Sequence, residues 1–231
     1  MGERINISAA DGQFSAYVAR PQAEAAPAVV VIQEIFGVNQ VMRDVTDGLA
    51  NEGYLAICPD LFWRIEPGID ITDKSEAEWK RAFELFNAFD VDQGVKDIQA
   101  TITKVRADAH CNGKVGAVGF CLGGKLAFLT ATRTDVDAAA AYYGVGLEGV
   151  VGEAEKLTRP LLMHIAEEDQ FVPKEAQGII LQALKDHPQI EIHTYPGRDH
   201  AFARVGGEHY HEVDAKLANG RTQQFFQRTI G

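Results

Sequence analysis

The chain has 231 residues, 46% of them hydrophobic and 24% charged, which is enough apolar material to bury a full core. Its 22 Lys and Arg against 33 Asp and Glu give a net charge of −11, and that balance argues against nucleic acid or an anionic membrane surface as a partner. Three cysteines are a poor basis for a disulfide framework, the N-terminus lacks an apolar signal core, and the longest apolar run, residues 25–32, is far too short to span a membrane. A cytoplasmic protein is expected.

In chain order, residues 4–8 and 13–18 predict a hairpin, because the intervening Ala9-Ala10-Asp11-Gly12 carries the Asp-Gly turn signal. An Ala- and Pro-rich connection leads to residues 28–32, a β-branched run suited to a strand buried on both faces. Residues 41–52 read as an amphipathic helix that stops at Gly53. Residues 54–58 form the next buried strand, closed by Pro59, and residues 60–73 read as irregular. Two helices follow, over 75–87 and 92–107. Strands at 114–118, 137–143, 160–165 and 190–195 then alternate with helices at 122–131, 175–185 and 209–228. This rhythm predicts an α/β fold in one domain over residues 1–231. Its sheet should be mostly parallel, with helices on both faces and an antiparallel hairpin at the start.

The junction after the 114–118 strand carries the first chemical signal. It reads Gly119-Phe120-Cys121-Leu122-Gly123-Gly124 and runs straight into a helix-forming stretch. Strand, Gly-flanked turn and helix form the setting of a nucleophile elbow, here with Cys in place of Ser. The glycines admit a sharp turn, and the helix start turns its positive end toward Cys121, which favours a thiolate.

In a sheet of this kind, partners for the nucleophile belong on loops after later strands. After the 160–165 strand comes Ala166-Glu167-Glu168-Asp169-Gln170-Phe171-Val172-Pro173, and after the 190–195 strand comes Pro196-Gly197-Arg198-Asp199-His200-Ala201-Phe202. The order nucleophile, acid, histidine is that of α/β-hydrolases. Cys121 would attack, His200 would carry the proton and Asp169 would orient the imidazole. Glu167, Glu168 and Asp199 compete with Asp169; it is preferred because the polar stretch ends there. Among the other histidines, His164 sits within an apolar strand and reads as core. His209 and His211, two apart on a predicted helix, point in different directions and make a poor metal pair. His187 and His193 lack partners at ligand spacing.

Directly after the 28–32 strand stands Gln33-Glu34-Ile35-Phe36-Gly37-Val38-Asn39. This position supplies the second oxyanion donor in α/β-hydrolases, so the amides of Ile35 and Leu122 are the expected pair, each worth roughly 3 kcal/mol in the transition state. A carboxylate at Glu34 is placed to act on the thiol proton.

Together with Cys58-Pro59-Asp60-Leu61, Gly113-Lys114-Val115-Gly116, Tyr142-Tyr143-Gly144-Val145-Gly146-Leu147-Glu148 and His200-Ala201-Phe202-Ala203-Arg204, these motifs resemble the dienelactone hydrolase (carboxymethylenebutenolidase) family over nearly the whole chain. The resemblance implies a single-domain α/β-hydrolase with a Cys121–His200–Asp169 triad and neither metal nor organic cofactor. It implies that Glu34 helps take the thiol proton when substrate binds, that a thioester forms, and that a released enolate helps activate water. It also implies that Arg204 is one of the arginines that hold a substrate carboxylate.

The chain departs from the family pattern on the 75–87 helix, where Trp79 stands for an Arg, Phe83 for a Tyr and Phe86 for a Trp. Arg81 is two positions away, about 200° around a helix, and cannot replace the missing Arg without a register shift. Loss of a planar bidentate anchor weakens recognition of a carboxylate. A more apolar pocket is therefore expected, lined by Phe36, Trp79, Phe83 and Phe86, and with it a small-molecule ester or lactone substrate of lower charge, aryl esters included. Arylester or phosphotriester cleavage, thioester-based acyl transfer, and ligand binding without catalysis are the alternatives. The protein is expected as a monomer or small homo-oligomer.

Overall fold

The computed structural model describes residues 2–231. The chain divides into two compact units, Met1–Ala117 and Val118–Gly231. The strand order along the sheet is β1-β2-β4-β3-β5-β6-β7-β8, with β5 (Cys111–Phe120) carrying the chain from the first unit to the second.

In the first unit, β1 (Glu3–Ala9) and β2 (Gly12–Ala19) form the antiparallel hairpin. Ala9 pairs with Gly12, so the turn itself is Ala10-Asp11 and Gly12 belongs to the strand. Its lack of a side chain has a use there, because a Cβ on Gly12 would lie 2.7 Å from the Trp63 ring, which stacks on Phe14. β2 runs antiparallel to β4 (Leu55–Pro59), and β4 runs parallel to β3 (Ala26–Ile32). Residues 28–32 of β3 and the whole of β4 are buried, as a continuous apolar run requires. Helix α1 (Gln40–Asn51) starts at Asn39, whose side chain accepts from the Met42 amide, and it ends before Gly53 at φ +100°. Helices α2 (Glu76–Ala88) and α3 (Val91–Arg106) are capped by Ser75 and Asp90.

In the second unit, β6 (Ala138–Tyr142), β7 (Leu161–Ala166) and β8 (Ile190–Tyr195) pair in parallel. The alanines of β6 are all buried, so tertiary packing overrides their helical preference. Helix α4 (Leu122–Arg133) follows β5, α5 (Lys174–Leu184) follows β7 and α6 (Glu212–Thr229) closes the chain. Two short 3₁₀ segments, Leu147–Gly149 and Val151–Lys156, occupy the stretch after β6.

The start of α6 differs from the sequence expectation. The helix begins at Glu212, and His211 is its N-cap, with Nδ1 accepting from the Asp214 amide at 3.4 Å. His209 and His211 thus precede the helix. Histidine is not among the usual capping residues, so composition gave no stop signal ahead of Glu212.

Candidate active site

The second unit carries Cys121, Asp169 and His200. Cys121 is the N-cap of α4 at φ 57°, ψ −116°, and its side chain makes no capping bond. A β-carbon in that region is strained, and strain of this kind persists only where the surroundings over-determine it. They do so here. The Cys121 amide donates to Tyr142 O at 3.1 Å, while its carbonyl accepts from the amides of Gly124 and Val145 at 3.0 and 3.3 Å. Leu122, as the first residue of α4, has an amide with no acceptor four residues back in the helix.

The glycines keep this junction tight. A Cβ on Gly119 would lie 1.9 Å from Gly123 O, and one on Gly124 would lie 2.4 Å from Tyr142 O. Both collisions are with backbone and have no rotamer escape. Gly119→Ala is therefore expected to cost about 3 kcal/mol or more of stability, at the upper end for overpacking. Chemical denaturation checks this, and a loss below about 1 kcal/mol would mean that the junction yields.

Asp169 and His200 lie on the loops after β7 and β8. The His200 Nδ1–H donates to Asp169 Oδ2 at 2.9 Å and faces Oδ1 at 3.1 Å. A carboxylate can only accept, so this contact puts a proton on Nδ1 and turns Nε2 away from Asp169. Asp169 Oδ1 also accepts from the amides of Phe171 and Val172 at 2.9 and 3.2 Å, which fixes the carboxylate before the imidazole meets it. Cys121, Asp169 and His200 are 8%, 5% and 5% exposed.

Burial by itself would lower the His200 pKa. The Cys121 sulfur, within electrostatic and hydrogen-bonding reach of the ring, and Asp169 outweigh burial and raise it from 6.5 to about 10. Nε2 nonetheless has no partner of normal hydrogen-bond geometry among the described residues.

Two aromatic rings hold the imidazole in place. Tyr143 and Phe171 meet it edge-on, with centroids 5.1 and 4.9 Å away. Tyr143 adopts φ 38° just past β6, and Ala201, next to His200, adopts φ 60°. Sequence reasoning gave Tyr143 and Phe171 no role. The one available signal was their place inside motifs already singled out. Arg204 is half-buried in the turns that follow His200, and its amide donates to Ala201 O at 2.9 Å. The other competitors resolve cleanly. Glu168 is paired with Lys174, and Asp199 bonds to backbone. His164 is a buried core residue whose Nδ1 meets Tyr195 Oη at 2.8 Å and whose Nε2 meets Thr222 Oγ1 at 2.9 Å. Burial holds its pKa well below the ordinary value, so it stays neutral.

The first unit holds the remaining candidates. Glu34, Ile35 and Phe36 are all buried in the loop after β3. That loop is held at both ends: Gln33 Oε1 accepts from the Leu61 amide at 3.0 Å, and Asn39 Nδ2 donates to Ile71 O at 3.0 Å. Gly37 at φ +75° passes so close to Ile69 that a Cβ would lie 2.1 Å from its carbonyl oxygen. Gln33, Gly37 and Asn39 thus build the loop that presents Glu34. Phe36 meets Trp79 edge-on at 5.1 Å, and Trp79 stacks on Phe83 at 5.6 Å. Phe86 is half-buried further along α2, outside this ring cluster. Arg81 is committed elsewhere, to Glu66 and Glu84.

Eight strands in this order, with a strained cysteine at a strand-to-helix turn and a carboxylate-bound histidine after later strands, define an α/β-hydrolase fold. Comparison with known proteins narrows the class. The model of the dienelactone hydrolase family matches residues 14–230. A protein of Azospirillum brasilense, named by inference as a carboxymethylenebutenolidase, is 54% identical over 98% of this chain and 99% of its own length. Carboxymethylenebutenolidase of Pseudomonas putida is 41% identical over 96% and 95%. A crystal structure from Klebsiella pneumoniae subsp. pneumoniae, named by inference as a dienelactone hydrolase, superimposes with a TM-score of 0.86 at 30% identity, covering 98% of each chain. The chain belongs to the dienelactone hydrolase family and is a hydrolase acting on ester bonds.

Proposed function

We propose that the protein cleaves lactones or carboxylic esters through Cys121, His200 and Asp169 by way of a thioester. The observation that carries this reading is the pairing of a strained, N-capping Cys121 with a buried imidazole already tied to Asp169. The thiol proton passes to His200 Nε2, and the sulfur attacks the substrate carbonyl. The oxyanion collects hydrogen bonds from the amides of Ile35 and Leu122. Collapse breaks the ester C–O bond, and the leaving oxygen takes the proton from the imidazolium. Water then gives a proton to His200 and attacks the thioester, which releases the acid and restores the thiol. Glu34 assists the first proton transfer on this reading. The family resemblance and its burial in the loop after β3 support that role.

The substrate pocket is proposed to be more apolar than in enzymes that bind carboxylated dienelactones. Its walls would be Phe36, Trp79, Phe83 and Phe86, with Arg204 as the remaining cation. Two observations support this: the Phe36–Trp79–Phe83 ring cluster, and the commitment of Arg81 to Glu66 and Glu84. A panel of carboxylated dienelactones, neutral aryl esters and phosphotriesters, run on wild type and Trp79→Arg, tests it. Trp79→Arg is expected to shift kcat/KM toward the carboxylated substrates by roughly 10-fold or more, the scale of one charge-assisted bond. Equal preference in the two proteins would remove the pocket argument. Absence of turnover on any ester would remove the hydrolase mechanism.

A further inference from the structure

Asp199 is outside the triad, yet its carboxylate joins the two loops that carry it. A single oxygen, Oδ1, accepts from the backbone N–H of His200 at 2.6 Å and from that of Gln170 at 2.9 Å. Gln170 directly follows Asp169. One atom therefore holds both the amide of the base and the amide beside the acid, although His200 and Asp169 lie 31 positions apart in the chain. The other oxygen, Oδ2, faces Gln170 Nε2 at 3.5 Å and His209 Nε2 at 3.7 Å, at the partly exposed edge of the site.

The position of this clamp gives it meaning. Ala201, on the far side of His200, is held at φ 60°. Downstream, the turn is fixed by Arg204 N–H donating to Ala201 O and His211 N–H donating to Phe202 O, both at 2.9 Å. Upstream of His200, Asp199 supplies the matching restraint, and a carboxylate acceptor makes that restraint stronger than a neutral one. The loops are also joined by Glu167 N–H to Tyr195 O at 3.1 Å and Glu168 N–H to Arg198 O at 2.8 Å. Those bonds end one residue short of the acid and two short of the base. They keep the loops paired when Asp199 is changed, but they do not reach the catalytic residues themselves.

We infer that Asp199 is a positioning residue of this hydrolase, fixing Asp169 and His200 in register and holding the imidazole in the strained turn from which Nε2 serves Cys121. The inference rests on the triad reading above. The test compares Asp199→Ala and Asp199→Asn by steady-state kinetics on an activated aryl ester, and by the pH profile of Cys121 alkylation with iodoacetamide. Asp199→Ala is expected to lower kcat by about 10- to 100-fold with KM changed less than about 2-fold, and to shift the alkylation profile, since small misplacements of a catalytic group act on kcat. Asp199→Asn keeps an acceptor at Oδ1 and is expected to restore kcat to within about 3-fold of wild type.

An alanine variant with unchanged kcat and alkylation profile overturns the inference, whatever its melting temperature. So does a rise confined to KM, or an Asn variant as slow as Ala with an unshifted profile. Should Asp199→Ala fail to fold, Asp199→Ser, whose hydroxyl lies one bond closer to the backbone and does not reproduce the shared Oδ1 acceptor, is measured in its place with the same expected loss and shift. Cys121→Ala separates this inference from the reading beneath it. If that variant still turns over ester, the triad assignment fails. A dead Cys121→Ala beside an unaffected Asp199→Ala overturns only the positioning role.

Discussion

Cys121→Ala is expected to abolish ester turnover, with a loss in kcat on the order of 10⁴-fold or more, because no other nucleophile stands at the α4 N-terminus and the remaining machinery has nothing to activate. Of the other two thiols, Cys58 is buried in β4, where desolvation raises its pKa far above the ordinary thiol range, and Cys111 lies at the opposite end of β5 from Cys121. Neither can substitute. The same position offers a stability measurement that a purely structural cysteine would fail. Alanine keeps the Cβ and so keeps the strain of φ 57°, ψ −116°. Glycine occupies that region at no steric cost. Cys121→Gly is therefore expected to be inactive but about 1 kcal/mol or more stabler than Cys121→Ala, the strain relief exceeding the extra chain entropy of glycine. Chemical denaturation of the two dead variants measures the difference. Equal midpoints would show that the elbow stores no strain.

The elbow was legible in the sequence because its requirements are local. A strand, two glycines that backbone contacts forbid to carry a Cβ, and a helix start are all written within residues 114–131. The meeting of Asp169 with His200 was legible for a less local reason: parallel sheets deliver the ends of successive strands to one edge, so order along the chain stands in for proximity. What stayed hidden depends on contacts between loops distant in sequence. Asp199 looked like one more acidic turn residue until its oxygen met the amides of Gln170 and His200. Tyr143 and Phe171 carried no role in the sequence, and only the fold places their edges against the imidazole. The α6 start was misplaced because His211 performs a capping role that composition does not advertise. β6 shows the converse: its alanines carried a helical preference, and the alternation of the surrounding elements gave the strand.

The second large effect concerns the proton on His200. Burial disfavours the imidazolium, but the Cys121 sulfur and the Asp169 carboxylate raise its pKa from 6.5 to about 10 in the folded protein. A pKa raised on folding contributes stability that is complete below pH 6.5 and is lost as pH rises through about 10. Cys121→Ala removes one cause of the rise, so the imidazole should shed its proton at lower pH, and the alkaline fall in melting temperature, which begins near the unfolded value in both proteins, should be smaller and end at lower pH than in wild type. Asp169→Asn removes the other cause. It also offers an amide N–H where Nδ1–H needs an acceptor, so the imidazole turns or changes tautomer and its Nε2 no longer takes the thiol proton; the equivalent change in a serine-protease triad costs on the order of 10⁴-fold in kcat. Melting temperature against pH for wild type, Cys121→Ala and Asp169→Asn, with ¹⁵N resonances of His200 followed through the same titration, gives both readings. Superimposable alkaline limbs in the three proteins, or a His200 that titrates near 6.5 in wild type, would show that Cys121 and Asp169 do not hold the proton on the His200 imidazole.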